Sequence, residues 1–368
     1  MVGALGEGAR RVGGNGLVNG PRRQVARAAR PRLGHNRDHT TAEGSAMPAI
    51  LTHDFFGRGV ADAAADLLGF RSVDETDAFL LGNQGPDPLF YLLVDASAHE
   101  WHTLGNVMHD ARTAPLFLAL REAADALEGR ERAVARAYVA GFACHWQLDS
   151  AAHPLVYHWQ YGICAAGVEG LDESHGSRVH AEIERDWDEA VLFAHTGRTV
   201  ATYAPHERVL LGSREVLSVI DGLYVAVARE VYGLAAPDDV YTRGVQSFRF
   251  VQRLFDSPGG GKRAVLGRVE RALTREPYSL LNSMSHRDRA EATSDFDNRD
   301  HAEWANPATG QTSTASFWDL FAGAQEAAPG TIRALLLSPG LDLAAARALC
   351  ADTNFEGAPT APDDAYTW

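Results

Sequence analysis

The chain has 368 residues, 45% of them hydrophobic and 9% aromatic, a globular composition that excludes wholesale disorder. Its formal net charge of −14 is unevenly spread: residues 1–46 carry eight Arg against Glu7, Asp38 and Glu43, and the remainder carries 26 basic against 45 acidic residues. A surface this acidic repels polyanions, which argues against duplex nucleic acid as a partner but admits a small anion held by bound cations. Cys144, Cys164 and Cys350 are scattered and odd in number, so they form no disulfide framework and fit a reducing, cytoplasmic setting. No run of about 18 apolar residues is present, so no transmembrane segment is expected.

Residues 1–46 are rich in Gly and Arg and lack both an apolar period and the apolar stretch of a secretory signal. They read as a disordered extension, with Met47 the expected start of the folded part. From residue 59 onward apolar residues recur at three- and four-residue spacing. This predicts helices over VADAAADLLGF, DETDAFLLGN, APLFLALREAADALEG and ERAVARAYVAGFACHWQLDSAAHP, the last ending at Pro154. Asp172, Ser174 and Ser177 offer caps for a helix through VHAEIERDWDEAVLFAH. Further helices are expected over REVLSVIDGLYVAVAREVYG, TRGVQSFRFVQRLF, AVLGRVERALTR, SFWDLFAGAQEAAPGTIRALLLS and LDLAAARALCAD. Residues 83–103, 155–175 and 277–316 read as long loops, and 353–368 as a loose tail. Alternating β patterns are almost absent. The expected fold is all-α, one multi-helix domain spanning 47–352.

Thirteen of the fifteen His lie beyond residue 50, repeatedly beside carboxylates. His145, Asp149 and His153 are spaced i, i+4, i+8, so on a helix they share one side with a drift of about 40° per step. Their neighbours Val139, Phe142, Ala143 and Leu148 are apolar, which makes that side a buried one. An unpaired carboxylate there costs several kcal/mol, and metal coordination removes the cost, as would a plain His–Asp hydrogen bond. His180 and Glu184 are again one helical turn apart, with Glu182, Asp186 and Asp188 expected on the solvated side. His53 lies just after Met47. Gly82-Asn-Gln-Gly-Pro-Asp87 makes a sharp turn that aims or caps with Asp87, and His109-Asp110 closes a short apolar run. Five His, two Asp and one Glu without a thiolate form an oxygen/nitrogen donor set suited to Zn(II), Mn or Fe(II), of the catalytic rather than the structural kind.

The order of these motifs resembles the bacterial zinc-dependent phospholipase C family, whose all-helical fold is shared with fungal single-strand-specific nucleases. The resemblance runs from His53 to about Asp188 and extends towards the Asp297–Pro307 segment. It implies two or three zinc ions: one on Asp87, His109, His145 and Asp149, a second on His153, His180 and Glu184, and a third shared by Asp149 and His53. It also implies hydrolysis of a small phosphate ester or phospholipid, with Asp87 as ligand and proton acceptor for the attacking water. Secreted members complete the third site with an N-terminal Trp. No Trp precedes His53 here, so the third metal lacks that chelate and is expected to be absent, weakly held, or completed by another group such as His301. Two other readings are a non-catalytic metal-binding or scaffold protein of the same fold, and an HD-type metal phosphohydrolase built on His109-Asp110. The latter leaves His145, Asp149 and His153 without a role. Ser257-Pro-Gly-Gly-Gly-Lys262 lacks the spacing and hydroxyl of a P-loop. The tryptophans at 101, 146, 159, 187, 304 and 318 are expected in the core or lining a pocket. The oligomeric state is not readable from the sequence.

Overall fold

Helical apolar spacing becomes helix along most of the chain that the computed structural model describes, residues 49–168, 171–255 and 286–360, with 286–316 non-helical. The chain divides into two units, 1–40 and 41–368, and every described residue lies in the second. The extension 1–46, the helix expected over AVLGRVERALTR, the Ser257–Lys262 turn and the last eight residues of the tail lie outside the described residues.

Helix α1 (Ile50–Leu68) starts upstream of the apolar run that predicts it and so carries His53 in its first turn. Helix α2 (Val73–Gly82) opens on a capping box between Ser72 and Glu75. The expected loop 83–103 is a turn followed by two 3-10 segments, Asp87–Val94 and His99–Trp101. Helices α3 (His102–Asp110) and α4 (Thr113–Asp125) follow. Helix α5 (Gly129–Cys164) is 36 residues long, and α6 (Gly176–Thr196) lies beside it after a short turn capped by Asp172. A four-residue helix α7 (Val200–Tyr203), then α8 (Arg214–Tyr232) and α9 (Val240–Phe255), complete the first part of the domain. Trp304–Ala305 pairs antiparallel with Thr312–Ser313, the one named sheet among the described residues. Helices α10 (Phe317–Leu336) and α11 (Leu343–Cys350) come last.

The long helix α5 is the axis of the domain, with α2 and α10 packed most extensively along it and α1, α4, α6 and α8 also against it. The close crossing of α2 on α5 rests on two glycines: a Cβ on Gly82 would lie 2.2 Å from the Tyr138 carbonyl oxygen, and one on Gly141 would lie 2.0 Å from that of Phe79. Phe79, Phe117, Tyr138, Phe142 and Tyr224 are fully enclosed around this crossing. Trp146, Trp187 and Trp304 are buried, while Trp101, Trp159 and Trp318 pack against the core from partly exposed positions.

Two segments depart from the sequence expectation. Helix α5 continues through Pro154 to Cys164 instead of ending there, so residues 155–164 are not loop. Proline removes one helical hydrogen bond, but Ala152, Leu155 and Val156 on both sides of it are buried, and their packing holds the helix. The tail is not loose from 353: Asn354 and Phe355 are buried, and 353–360 folds back on α3 and α5. Its Gly- and Pro-rich composition signals the lack of regular structure, which is a different property from lack of packing.

Candidate metal centre

The i, i+4, i+8 spacing puts His145, Asp149 and His153 on one side of α5, as the period requires. Helix α6 lies alongside and contributes His180 and Glu184, α1 contributes His53, and α3 contributes His109. Asp87 opens the 3-10 segment after the Gly85 turn. That turn is built tightly: Gly85 has φ +50, and a Cβ there would sit 2.2 Å from the His145 ring. The hydroxyls of Tyr138 and Tyr224 both donate to the Gly85 carbonyl, at 3.2 and 2.9 Å.

All eight residues converge, in three groups of potential metal donors: Asp87, His109 and His145; His53, His145 and Asp149; and His153, His180 and Glu184. Around the first group, His109 Nε2 lies 3.1 Å from Asp87 Oδ1 and 3.4 Å from His145 Nε2. His145 Nε2 lies 3.6 Å from Asp87 Oδ1 and 3.0 Å from Asp149 Oδ2, and His109 Nε2 is 3.8 Å from that same oxygen. Donors about 2.0–2.2 Å from a tetrahedral zinc stand about 3.3–3.6 Å apart, so these five separations bracket the edges of such a shell. The other carboxylate oxygen of Asp149, Oδ1, is 3.0 Å from His53 Nε2. Asp149 therefore faces two groups with two different oxygens. In the remaining group, Glu184 Oε1 is 3.2 Å from His153 Nε2 and 3.3 Å from His180 Nε2.

The far nitrogens are held as well. Nδ1 of His109 lies 2.8 Å from the Gly105 carbonyl, that of His145 3.1 Å from the Asn83 carbonyl, that of His153 2.8 Å from the Phe355 carbonyl, and that of His180 3.0 Å from Gln160 Oε1. Each partner only accepts, which assigns the proton to Nδ1 and turns the Nε2 lone pair into the cluster.

The electrostatics fit cations at the centre. Asp87 Oδ2 is buried and has no hydrogen-bond partner. The Nε2 atoms of His145 and His109 approach to 3.4 Å, a contact that a shared cation would make favourable, while His53 Nδ1 lies 3.2 Å from His145 Nδ1 and can accept from it. Burial opposes the charge of His53, but Asp149 and Asp87 outweigh it and raise its pKa. Burial likewise opposes the charge of His109, and Asp87 overcomes it. For His145 burial wins and lowers it. Asp149 resists burial and stays well below the usual carboxylate range because His145, His153 and His53 face it. His153 is raised to about 10 against burial by Asp149 and Glu184, and Glu184 is lowered to about 2 against burial by His180 and His153. The histidines facing Asp149 and Glu184 thus favour the charged form of both buried carboxylates. The three donor groups could hold metal ions.

Some expectations are corrected. His301 belongs to none of the three groups: it is exposed, with its Nδ1 3.1 Å from the Thr314 carbonyl and 3.5 Å from Asp319. Asp110 is in none of them either, which removes the HD pairing from the cluster. Asp186 and Asp188 are buried instead of solvated, while Glu182 is exposed as expected. Asp188 lies one turn beyond Glu184 on α6. It accepts from the backbone N–H of Leu51 at 3.1 Å and of Thr52 at 2.7 Å, and is 2.9 Å from His286 Nε2. It thus clamps the start of α1, where His53 sits, with a negative charge at a helix N-terminus. Asp186 pairs with Arg287 and Arg289.

No family model, curated protein or solved structure matches the chain. No helix among the described residues is long and apolar enough to cross a membrane.

Proposed function

We propose that the chain is a zinc-dependent hydrolase of small phosphate esters, related in chemistry to phospholipase C. The observation that carries this reading is the sharing of Asp149: its two oxygens face separate groups of histidines, Oδ2 at 3.0 Å from His145 and Oδ1 at 3.0 Å from His53. A carboxylate so placed could hold one cation at each oxygen, which would suit the clamping of a phosphoryl group. Zinc bound by these residues would supply a water of lowered pKa and positive charge for the phosphoryl oxygens. Asp87 turns Oδ1 towards His109 and keeps Oδ2 unpaired, so it is placed to accept a proton from the attacking water. The imidazoles of His109, His145, His153 and His180 are fixed by their Nδ1 bonds, which keeps the donors in place through turnover. Net charge −14 favours a small ester over a polyanion, since a single phosphate gains from the cations more than it loses to the surface.

The test is elemental analysis of the purified protein together with hydrolysis of a chromogenic phosphodiester and a monoester, before chelation, after it, and after zinc is returned. Two or three zinc ions per chain with zinc-restorable turnover is the expected result. Firmly held zinc with no turnover on either ester would replace the enzyme by a metal-binding scaffold, and a chain that binds no divalent cation would end the metal reading itself.

A further inference from the structure

The segment 353–360 makes more contacts with the metal-donor histidines than a surface tail has reason to make. The Phe355 N–H donates to the His109 carbonyl at 3.1 Å, and the Phe355 carbonyl accepts from His153 Nδ1 at 2.8 Å. The Phe355 ring is fully buried, with its centroid 5.0 Å from that of His109 and 5.6 Å from that of His145. The next residue, Glu356, accepts from the Tyr157 hydroxyl at 2.8 Å, and the Tyr157 ring stands edge-on to His180.

Within this segment Asn354 makes three side-chain hydrogen bonds. Asn354 Oδ1 accepts from the N–H groups of Glu356 at 3.0 Å and Ala358 at 2.9 Å, while its Nδ2 donates to the Asp110 carbonyl at 3.3 Å. Trp146 Nε1 donates to the Thr353 carbonyl at 3.1 Å and Asn306 Nδ2 to that of Gly357 at 3.0 Å, so both ends of the loop are tied down.

The His153 contact has no counterpart elsewhere in the cluster. Nδ1 of His109 is held from one turn back on its own helix, that of His145 from the turn after α2, and that of His180 by a side chain of α5. His153 is held by a loop 202 residues further along the chain.

We infer that residues 353–360 are a positioning strap for the metal centre: the Phe355 carbonyl fixes the tautomer and ring angle of His153, and Asn354 is the positioning residue that keeps that carbonyl in place. This rests on the metal reading above but not on any catalytic activity. Loss of an outer hydrogen bond of this kind typically lowers metal affinity about 10–100-fold. Only the ion held by His153, His180 and Glu184 should be affected to that degree, because His109 keeps its own Nδ1 bond to Gly105.

The experiment is equilibrium zinc titration of the full chain, comparing wild type, Asn354→Ala and Asn354→Asp. In Asn354→Ala one equivalent should weaken about 10–100-fold while the others hold. Asn354→Asp keeps the Oδ1 acceptor but loses the donation to the Asp110 carbonyl, so it should recover part of the affinity lost in Asn354→Ala, and no recovery with both variants folded would count against the strap. A folded Asn354→Ala that binds every equivalent as wild type does would overturn the strap. If that variant fails to fold, the imidazole nitrogen resonances of zinc-loaded wild type decide. A proton on His153 Nδ1 with Nε2 on the metal is the expected state, and the reverse assignment refutes the inference. A wild type that binds no zinc at all removes the metal reading, and the strap with it, and is recognised separately because it precedes any comparison of variants.

Discussion

Asp87, His109, His145 and Asp149 meet behind aromatic walls, with Phe90 stacked on His109 and Phe142 and Phe355 packed about His145. His153, His180 and Glu184 meet in a different setting, beside Tyr157 and, one turn further along α5, the half-exposed Tyr161. The first region offers four buried donors, and the second offers three, of which His153 is partly buried and His180 and Glu184 are buried. Four donors complete a tetrahedral shell, whereas three leave a position for water or substrate. On the proposed reading the first region, with Asp87 and Asp149, serves the attacking water and the phosphoryl clamp, and the second would add a cation with an open position beside it.

The comparison is broken most severely at the residue that joins the buried region to His53. Asp149→Asn keeps the shape and removes the negative charge. It should cost at least one zinc and about 100-fold or more in phosphodiesterase rate. Zinc stoichiometry and turnover after chelation and reloading give the answer, and full zinc with full rate would refute the bridging role.

A smaller effect separates the regions by protons. In the metal-free protein Glu184 is lowered to about 2 and His153 raised to about 10. The carboxylate's share of stability is present above its ordinary 4.5 and lost as pH falls through about 2. The imidazolium's share is fully present below its ordinary 6.5 and lost as pH rises through about 10. The pair thus supports the metal-free fold most between pH 4.5 and 6.5, and its melting temperature should decline from there towards pH 10. Zinc uptake at neutral pH must displace the His153 proton. Wild type should therefore release about one proton more than His153→Gln on loading, read in weakly buffered solution. Equal release by the two proteins would show that His153 is not a donor.

The smallest effect is the control. Glu182 shares α6 with His180 and Glu184 but is exposed and pairs with Arg185 at 2.7 Å. Glu182→Gln should leave zinc content unchanged and stability within about 0.5 kcal/mol, measured by denaturant unfolding. A lost zinc in this variant would mean that α6 presents a different face to the cluster.

What could be read from the sequence was whatever repeats at short range. The spacing of His145, Asp149 and His153 reports a shared helix side without any knowledge of the fold, and so does that of His180 and Glu184. The groups that orient those rings were not legible. Three of the four Nδ1 acceptors are backbone carbonyls, of Gly105, Asn83 and Phe355, and a carbonyl has no side-chain signature. Asp186 and Asp188 look solvated in an acidic local run. They are buried because Arg287, Arg289 and His286 reach them from about a hundred residues away, which no local period encodes. Pro154 signals a helix end by its own chemistry, and it is overruled by the packing of Leu155 and Val156.

The bond from His153 to the Phe355 carbonyl also sets a timetable. Synthesis delivers His53 first and Phe355 three hundred residues later, after every donor helix has left the ribosome. Contacts that far apart in sequence pay their loop-closure entropy late and form slowly. Until that last loop seats, His153 Nδ1 lacks its acceptor while the rings of His109, His145 and His180 are already held, so of the three donor groups the one with His153 would be shaped last.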